Sequence, residues 1–553
     1  MTDDKLEIIP LGGVGVFGMN MMAMRCGGEA IIIDAGMGFP EEDAPGVDIV
    51  IPDFSFIDQY RDEISAIILT HGHEDHIGAV PFLLKEVNVP VYGTHLTLAL
   101  LEGKLQEHGL SDSTSLHAVE SRDRVALGKF EVEWIHVTHS LTSCTAVAVT
   151  TPVGVVIHSG DFKIDDTPVV GRPTDLERLS EYGDQGVLAL LADSTNAERP
   201  GRTQSERFVI PALEKIFDEA TGRIVLSCFT SSVHRIQIAL DLARDYGRRV
   251  ALLGRSMLRN VETAESLRQL DVPDGIFITA AEARQMDDDQ LLLLVAGCQG
   301  DPMSAMTKLA TDQHKNLSVG EGDLVVLSAR QIPGNETAIS RLISHCYKRG
   351  ARVIDSTVAR VHVSGHGSQE DLKILIEATR PKFLVPIHGE HRQLYRHRDW
   401  AVETGIVEPQ NIVVFENGDV LELGEDSAEI TATEFVGRTF IDSSYEQIED
   451  LVVRDRKHLS YDGIVIAIVA INPKSGELES EPELVTRGFV HEEDSAEMLE
   501  GLKRLVEETV GTASHEERID YAVIKEKIRV ALKRFIQKAT GRRPMIIPVV
   551  VEV

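Results

Sequence analysis

The chain has 553 residues, 43% of them hydrophobic and 26% charged, and its 88 acidic against 55 basic side chains give a formal net charge of −33. That length excludes a minimal binding module and leaves room for roughly three or four domains. The charge excludes long-range capture of a polyanion, so any nucleic-acid site must be local, with bound cations reversing the field there.

No apolar run approaches the roughly 18–20 residues of a bilayer span, and residues 1–10 lack signal-peptide architecture, which predicts a soluble, unsecreted protein without a membrane partner. Cys26, Cys144, Cys228, Cys298 and Cys346 are scattered and odd in number. Neither a disulfide framework nor a thiolate zinc ribbon is encoded, and a reducing cytoplasm fits.

Along the chain, β-rich runs at 6–11, 30–34, 66–70, 131–137, 153–158 and 187–192 read as buried strands running into His, Asp or Gly. Residues 13–18 spell G-x-G-x-x-G, with Asp34 downstream as a dinucleotide-binding fingerprint requires. Against that reading, 19–25 is short for a crossover helix, Gly27-Gly28 breaks it, and 31–34 serves equally as the return strand of a hairpin. From 204 to 359 the texture becomes βα, with helical spacing at 208–220 and 234–246 and strands at 224–228, 250–253 and 324–328. Histidine-bearing strand ends return at 360–367 and 382–390, 411–423 reads as a closing hairpin around Asn417-Gly418, and a polar stretch at 424–427 opens a connector. The expected division is 1–203, 204–359 as an insertion, 360–424 resuming the first domain, 425–454 as linker, and 455–553 as a last α/β domain. In that last domain Ile524, Ile528, Leu532 and Phe535 mark one helical face ringed by lysines and arginines, which reads as a core stripe or as an RNA or partner contact.

The chemistry concentrates in Thr70-His71-Gly72-His73-Glu74-Asp75-His76, between an apolar strand and a helix-like segment. Imidazole and carboxylate suit borderline metals such as zinc, and His71 and His73 followed by Asp75 and His76 can aim two ligand pairs at two adjacent ions. A solvated polar loop is the bland alternative, and four ligand-type side chains within six residues make a poor case for it. Two ions need further ligands; the strand-end candidates are His139, Asp161 and His388, and Asp161, with two carboxylate oxygens, can bridge.

On these residues the chain resembles the metallo-β-lactamase superfamily, whose H-x-H-x-D-H signature stands at His71 to His76. The resemblance implies one ion on His71, His73, His139 and Asp161, another on Asp75, His76, Asp161 and His388, and Asp34 orienting an imidazole. Length and the motifs at Asp193, His366 and His388 resemble the β-CASP branch, and within it the ribonuclease J family, over nearly the whole chain. The implied fold is a metallo-β-lactamase αββα sandwich interrupted by an inserted β-CASP α/β domain, plus a C-terminal α/β domain. One departure stands out: where that family commonly continues T-H-S with I-P-D or I-P-E, this chain reads His139-Ser140-Leu141-Thr142-Ser143-Cys144.

Two close cations lower the pKa of a shared water, so a hydroxide can attack phosphorus in line. His366 is the candidate acid for the leaving 3′ oxygen, with Asp161 and Asp193 in the catalytic group. His362, Val363, Ser364, Gly365 and His366, with Ser231, Ser232 and Val233 across from them, are expected to contact substrate and, by the resemblance, to measure a 5′ monophosphate; for Ser231 and Ser232 an ordinary helix N-cap is the alternative. The resemblance implies a 5′-to-3′ exonuclease on single-stranded RNA with endonuclease activity as well, acting in rRNA maturation and mRNA decay. It implies two divalent ions per subunit, zinc first with Mn²⁺ or Mg²⁺ supporting activity. It also implies a homodimer or tetramer through the last domain, RNA-decay partners, and a further Ca²⁺ near Asp48 and Asp442, for which exposed turn carboxylates are an equal alternative. A non-catalytic RNA-binding subunit with a disabled centre is the contrasting reading, disfavoured by the complete ligand set.

Overall fold

Runs dominated by Ile, Val and Leu pack well on a pleated surface and form most of the strands expected of them. The computed structural model describes residues 5–40, 44–332, 334–489 and 495–553. Two units emerge, Met1–Phe39 with Ile51–Arg438, and Pro40–Val50 with Thr439–Val553.

In the first unit one sheet runs, edge to edge, Ala428–Thr433, Asp419–Leu423, Leu6–Gly12, Met21–Cys26, Glu29–Ile33, Ile64–Ile68, Val91–Thr94 and Leu116–Val119. A second runs Pro381–Ile387, Val187–Asp193, Val155–His158, Cys144–Thr150, Phe130–Val137 and Arg124–Leu127. Ile8, Met24, Ile31, Ile33 and Ile68 of the first share one buried cluster with Trp134, Val147, Val149, Leu191 and Val385 of the second. Each such side chain contributes about 1.5–3 kcal/mol by leaving water, which clamps the sheets face to face. Helices Leu176–Gln185 and Gln369–Thr379 bury Leu179, Tyr182, Leu372 and Leu375 in the cluster with Ile157, Leu190 and Leu384 of the second sheet. The expected sandwich is therefore present.

Between its two halves lies a wholly parallel sheet ordered Phe277–Ile278, Arg249–Leu253, Leu291–Val295, Ile224–Ser227, Leu324–Leu327 and Arg352–Ile354. Its central strands are buried on both faces, which is why they read as unbroken apolar runs rather than alternating ones.

The structure decides one open alternative against the dinucleotide fingerprint and corrects several expectations. Met21–Cys26 is a strand antiparallel to both Leu6–Gly12 and Glu29–Ile33, with Gly27 and Gly28 at positive φ in the turn between; no crossover helix follows the glycine run, and the dinucleotide fingerprint fails. Residues 360–367 are irregular backbone rather than a strand end. Asp419–Leu423 pairs not with 411–415 but with Leu6–Gly12 and Ala428–Thr433, because the turn at Asn417-Gly418 delivers it to the open edge of the first strand. The expected linker 425–454 carries that last strand, a further strand Arg438–Ile441, and the start of helix Asp450–Asp462.

In the second unit Ile464–Ile471 lies between Glu483–Arg487 and Met545–Glu552. Its alternate residues Val465, Ala467, Val469 and Ile471 are buried with Leu502, Val506 and Val510 of helix Ser495–Thr512 and Ile524, Ile528, Leu532 and Ile536 of helix Tyr521–Thr540. The i, i+4 spacing continues to Ile536, so Phe535 stands outside the stripe at 38% exposure. All five cysteines are buried, and among the described residues no disulfide joins any of them. Among the described residues no helix is long and apolar enough to cross a membrane.

Candidate metal centre

Three parallel pairings bring strand ends level: Ile33 lies opposite Ile68, His158 opposite Leu191, and Asp193 opposite Ile387. The residues that follow these ends therefore meet at one edge of the sandwich. Asp34 and His388 turn away from their strands at φ 59° and 55°, a left-handed conformation that costs a non-glycine residue energy and clusters at functional positions.

His71, His73, His139 and Asp161 each offer a ligand atom within 4.8 Å of the others, and so do Asp75, His76, Asp161 and His388. Asp161 Oδ2 is 3.6 Å from His71 Nε2 and 3.7 Å from His139 Nε2, while its Oδ1 is 3.3 Å from His76 Nε2 and 3.4 Å from His388 Nε2. One carboxylate thus presents one oxygen to each group. His73 Nδ1 closes the first group at 3.0 Å from His71 Nε2 and 3.2 Å from His139 Nε2. Asp75 Oδ2 closes the second at 3.7 Å from His76 Nε2 and 3.5 Å from His388 Nε2.

The far side of each ring settles its tautomer. His76 Nδ1–H donates to Asp34 Oδ2 at 2.7 Å, and that carboxylate also accepts from the Thr70 N–H and hydroxyl at 2.8 and 2.7 Å. The committed Thr70 hydroxyl then accepts from His71 Nδ1–H at 3.1 Å. His139 Nδ1–H donates to the Gly365 carbonyl at 2.8 Å, and His388 Nδ1–H to Thr195 Oγ1 at 2.7 Å. Four Nε2 lone pairs are thereby turned inward, as ligation needs. A Cβ on Gly365 would lie 2.6 Å from the His139 ring, so only glycine lets that carbonyl approach.

The donor set fits cations on two further grounds. Among the described residues Asp161 Oδ1 and His388 Nε2 are buried without a hydrogen-bond partner, a costly condition for polar atoms unless an ion satisfies them. Burial pushes His71 and His139 well down, keeping them neutral. At His76 and His388 burial acts in the same direction but is outweighed by the carboxylates, Asp161 first, so these imidazoles are pushed well up and hold a second proton that a bound cation would displace from Nε2.

His366 stands beside both groups. Its Nδ1–H donates to Asp193 Oδ2 at 2.8 Å and lies 3.9 Å from Asp161 Oδ2. Its side chain is 19% exposed, against 1% for Asp193, so the imidazole is reachable while the carboxylate that orients it is sealed. Asp193 Oδ1 accepts from the Thr195 N–H at 2.9 Å. Burial would raise the Asp193 carboxyl, but His366 and His388 hold it well below the usual carboxylate range.

Ser364 Oγ accepts from Asn196 Nδ2 at 2.8 Å and from the His366 N–H at 3.2 Å, leaving its own proton to donate outward. His362 and Val363 are largely buried, and burial pushes the His362 imidazole down to about 3. Ser232 occupies the N-cap position of helix Val233–Asp245 without a side-chain capping bond, and the Val233 N–H donates to the Ser231 carbonyl at 2.9 Å. Asp48 and Asp442 belong to none of the ligand groups among the described residues. The Asp48 N–H donates to the Ile441 carbonyl at 2.9 Å, and Asp442 Oδ1 accepts from the Ser444 and Glu446 N–H groups at 2.8 and 3.1 Å.

Sequence reasoning passed over a buried charge cluster. Glu206 accepts from Arg235 Nη2 at 2.6 Å and from Lys163 Nζ at 3.4 Å, all three side chains being at most 2% exposed. Lys163 Nζ also donates to the Ser364 carbonyl at 3.3 Å, and Arg235 Nη1 to the Val361 carbonyl at 2.6 Å, so the cluster holds the 361–366 backbone. Thr70, Thr195 and Asn196 were missed in the same way; their one signal is adjacency to named motif residues.

Residues 14–195 match the family described as metallo-beta-lactamase superfamily, 221–346 the ribonuclease J beta-CASP domain, 351–414 the Zn-dependent metallo-hydrolase RNA specificity domain, and 451–553 the ribonuclease J C-terminal domain. The chain is similar to proteins named Ribonuclease J from Helicobacter pylori (39% identical, covering 98% of this chain and 79% of that protein) and Thermus thermophilus (40%, covering 99% and 96%). It is 36% identical to Ribonuclease J2 of Bacillus subtilis, covering 100% and 99% of the two chains. Among solved structures, a protein of unknown function from Enterococcus faecalis superposes with a TM-score of 0.52 at 17% identity, over 76% of this chain and 100% of that one, a likeness of fold alone.

Proposed function

The chain belongs to the ribonuclease J family, and from that premise we propose that it shortens 5′-monophosphorylated single-stranded RNA in the 5′-to-3′ direction, with internal cleavage as a second activity, in rRNA maturation and mRNA decay. That it is a metal-dependent hydrolase acting on RNA follows from the family itself. The observation that carries the finer reading is the meeting of three features at one edge: the two ligand groups sharing Asp161, the His366–Asp193 pair beside them, and the outward hydroxyl of Ser364.

Two divalent ions in these groups, zinc by preference with Mn²⁺ or Mg²⁺ as substitutes, would activate water and neutralise phosphate charge. The ligands of one would be His71, His73, His139 and Asp161, and of the other Asp75, His76, Asp161 and His388. Asp34, Thr70, Thr195 and the Gly365 carbonyl keep those rings in place. Water oxygen bonds to phosphorus as the P–O3′ bond breaks, and His366 Nε2, on the ring face away from Asp193, delivers the proton that makes the leaving oxygen a hydroxyl. Asp193 stabilises the charged imidazole before that transfer. Ser364, Gly365, His362 and Val363 from one segment, with Ser231, Ser232 and Val233 at a helix start, supply donors without bulk for a terminal phosphate, which would seat the first phosphodiester at the ions.

The second unit suits self-association. Beyond the residues its helices cover, Ile464, Ile466 and Ile468 remain partly exposed, and Ile547 and Val551 on the neighbouring strand are 39% and 44% exposed. A second copy of the chain would bury this face, in a dimer or tetramer. A further Ca²⁺ near Asp48 and Asp442, a cytoplasmic location and partners in RNA decay complete the reading.

A 5′-monophosphorylated, 3′-labelled single strand incubated with purified protein and Mn²⁺ or Mg²⁺ is expected to shorten from its 5′ end, releasing nucleoside 5′-monophosphates. A 5′-hydroxyl strand degraded at the same rate would overturn the terminal-phosphate reading, and no degradation with any divalent ion would overturn the catalytic one.

A further inference from the structure

A cavity of about 560 Å³ lies between the loop that follows His139, the turn at 170–172 and helix Val233–Asp245. It contains none of the seven ligand residues and is separate from the small hollow of about 20 Å³ lined by Asp34, His76, Asp161 and His388. Its volume falls within the range of small-molecule sites, and nothing in the hydrolytic chemistry uses it.

Three wall groups have hydrogen-bonding capacity left over. His234 is 3% exposed and its Nδ1 accepts from the Val170 N–H at 3.2 Å, so the neutral ring carries its proton on Nε2, which has no partner among the described residues. Thr142 Oγ1 is buried and likewise unpartnered. Arg172 is an exposed residue of the lining and makes no side-chain hydrogen bond or ion pair among the described residues, while its carbonyl accepts from His136 Nε2 at 2.9 Å, which anchors the turn. Glu120 is the one carboxylate among the lining residues; it is exposed and stands 3.5 Å from His95 Nε2. A guanidinium, an imidazole N–H and a hydroxyl from three residues that line one space suit a phosphate group, and Leu96, Val170 and Leu267 add an apolar wall on which a base could rest.

We propose that this cavity binds a nucleoside 5′-monophosphate, its phosphate on Arg172 and the His234 Nε2–H, at a site distinct from the metal centre. The choice of nucleotide rests on the proposed reaction, which releases such molecules beside this loop; the same ligand taken from the free cellular pool would use the same contacts.

The test is calorimetric titration of the full chain with AMP, adenosine and inorganic phosphate. AMP is expected to bind the wild type and Asp161→Asn alike, to lose about tenfold or more in affinity with Arg172→Ala, and to lose several-fold with Thr142→Val, which keeps the shape of the wall without the hydroxyl. Adenosine and inorganic phosphate are each expected to bind at least about tenfold more weakly than AMP. Unchanged AMP affinity in both cavity variants would overturn the site. So would AMP binding that vanishes with Asp161→Asn, since it would place the nucleotide at the metal centre, or inorganic phosphate binding as tightly as AMP. AMP binding through Arg172 in a protein that degrades no RNA would keep the site and remove the proposed reaction; degradation without such binding would do the reverse.

Discussion

Replacing His366 by alanine separates proton transfer from ion binding. The imidazole belongs neither to the group of His71, His73, His139 and Asp161 nor to that of Asp75, His76, Asp161 and His388, although it shares a third cluster with Asp161, Asp193 and His388, and its shortest side-chain contact is the 2.8 Å bond to Asp193. Ion content is therefore expected to stay near that of the wild type. A positioned acid contributes about 10²–10⁴-fold, or about 3–5 kcal/mol of barrier at 1.36 kcal/mol per decade, and turnover is expected to fall by that factor. Asp193→Asn should fall within the same range, because an amide can present its N–H to Nδ1 and hold the wrong tautomer. The assay is single-turnover cleavage of a 5′-monophosphorylated strand, with elemental analysis of the same sample. A substrate whose bridging 3′ oxygen is replaced by sulfur supplies the decisive comparison: a thiolate leaves without a proton, so His366→Ala should approach the wild-type rate on it. Full activity of His366→Ala on the ordinary strand, or equal impairment on both strands, would refute the acid assignment.

Asp161→Ala is expected to abolish activity and remove both ions, because Oδ1 and Oδ2 face different ligand groups; elemental analysis that finds one ion retained at full occupancy would contradict the bridge. Asp34→Asn and Thr195→Val leave every ligand in place but release an Nδ1, and each is expected to weaken ion affinity about 10–100-fold, measured by competition with a chelator. Glu206→Gln leaves Arg235 and Lys163 buried with their shared carboxylate gone. The carboxyl is held down at about 2: burial opposes this, but Arg235 and Lys163 prevail. Against an ordinary value of 4.5, that corresponds to about 3 kcal/mol. Since the folded value lies below the unfolded one, this stability is complete above pH 4.5 and lost as pH falls through 2. Urea unfolding followed by the buried Trp134 and Trp400 should show the deficit at pH 7 and its disappearance in acid; a variant as stable as wild type at pH 7 would contradict it.

What the sequence reading left open or misplaced shares one cause. The glycine run at 13–18 satisfied a fingerprint because a short motif constrains only its own backbone, whereas the strand or helix that follows depends on what is packed against it; Met21–Cys26 found an edge on each side. The turn at Asn417-Gly418 was legible, but not the choice of Leu6–Gly12 as partner of the strand beyond it. Phe535 entered the helical stripe at i+3 from Leu532, and only packing against the sheet shows that the row continues through Ile536 at i+4.

The sequence by itself determined the ligand types and their local delivery. His71, His73, Asp75 and His76 sit on one strand-to-helix loop because an apolar strand ends there and a helix begins, and the remaining ligands follow strand ends for the same reason. Only the tertiary structure decided which oxygen of Asp161 faces which ligand group, which atom holds each Nδ1 proton, and that Glu206, Arg235 and Lys163 meet beneath the 361–366 segment. These include contacts between residues 226 positions apart. They are set by how closely buried sheets and loops can approach, and no spacing along the chain encodes that distance.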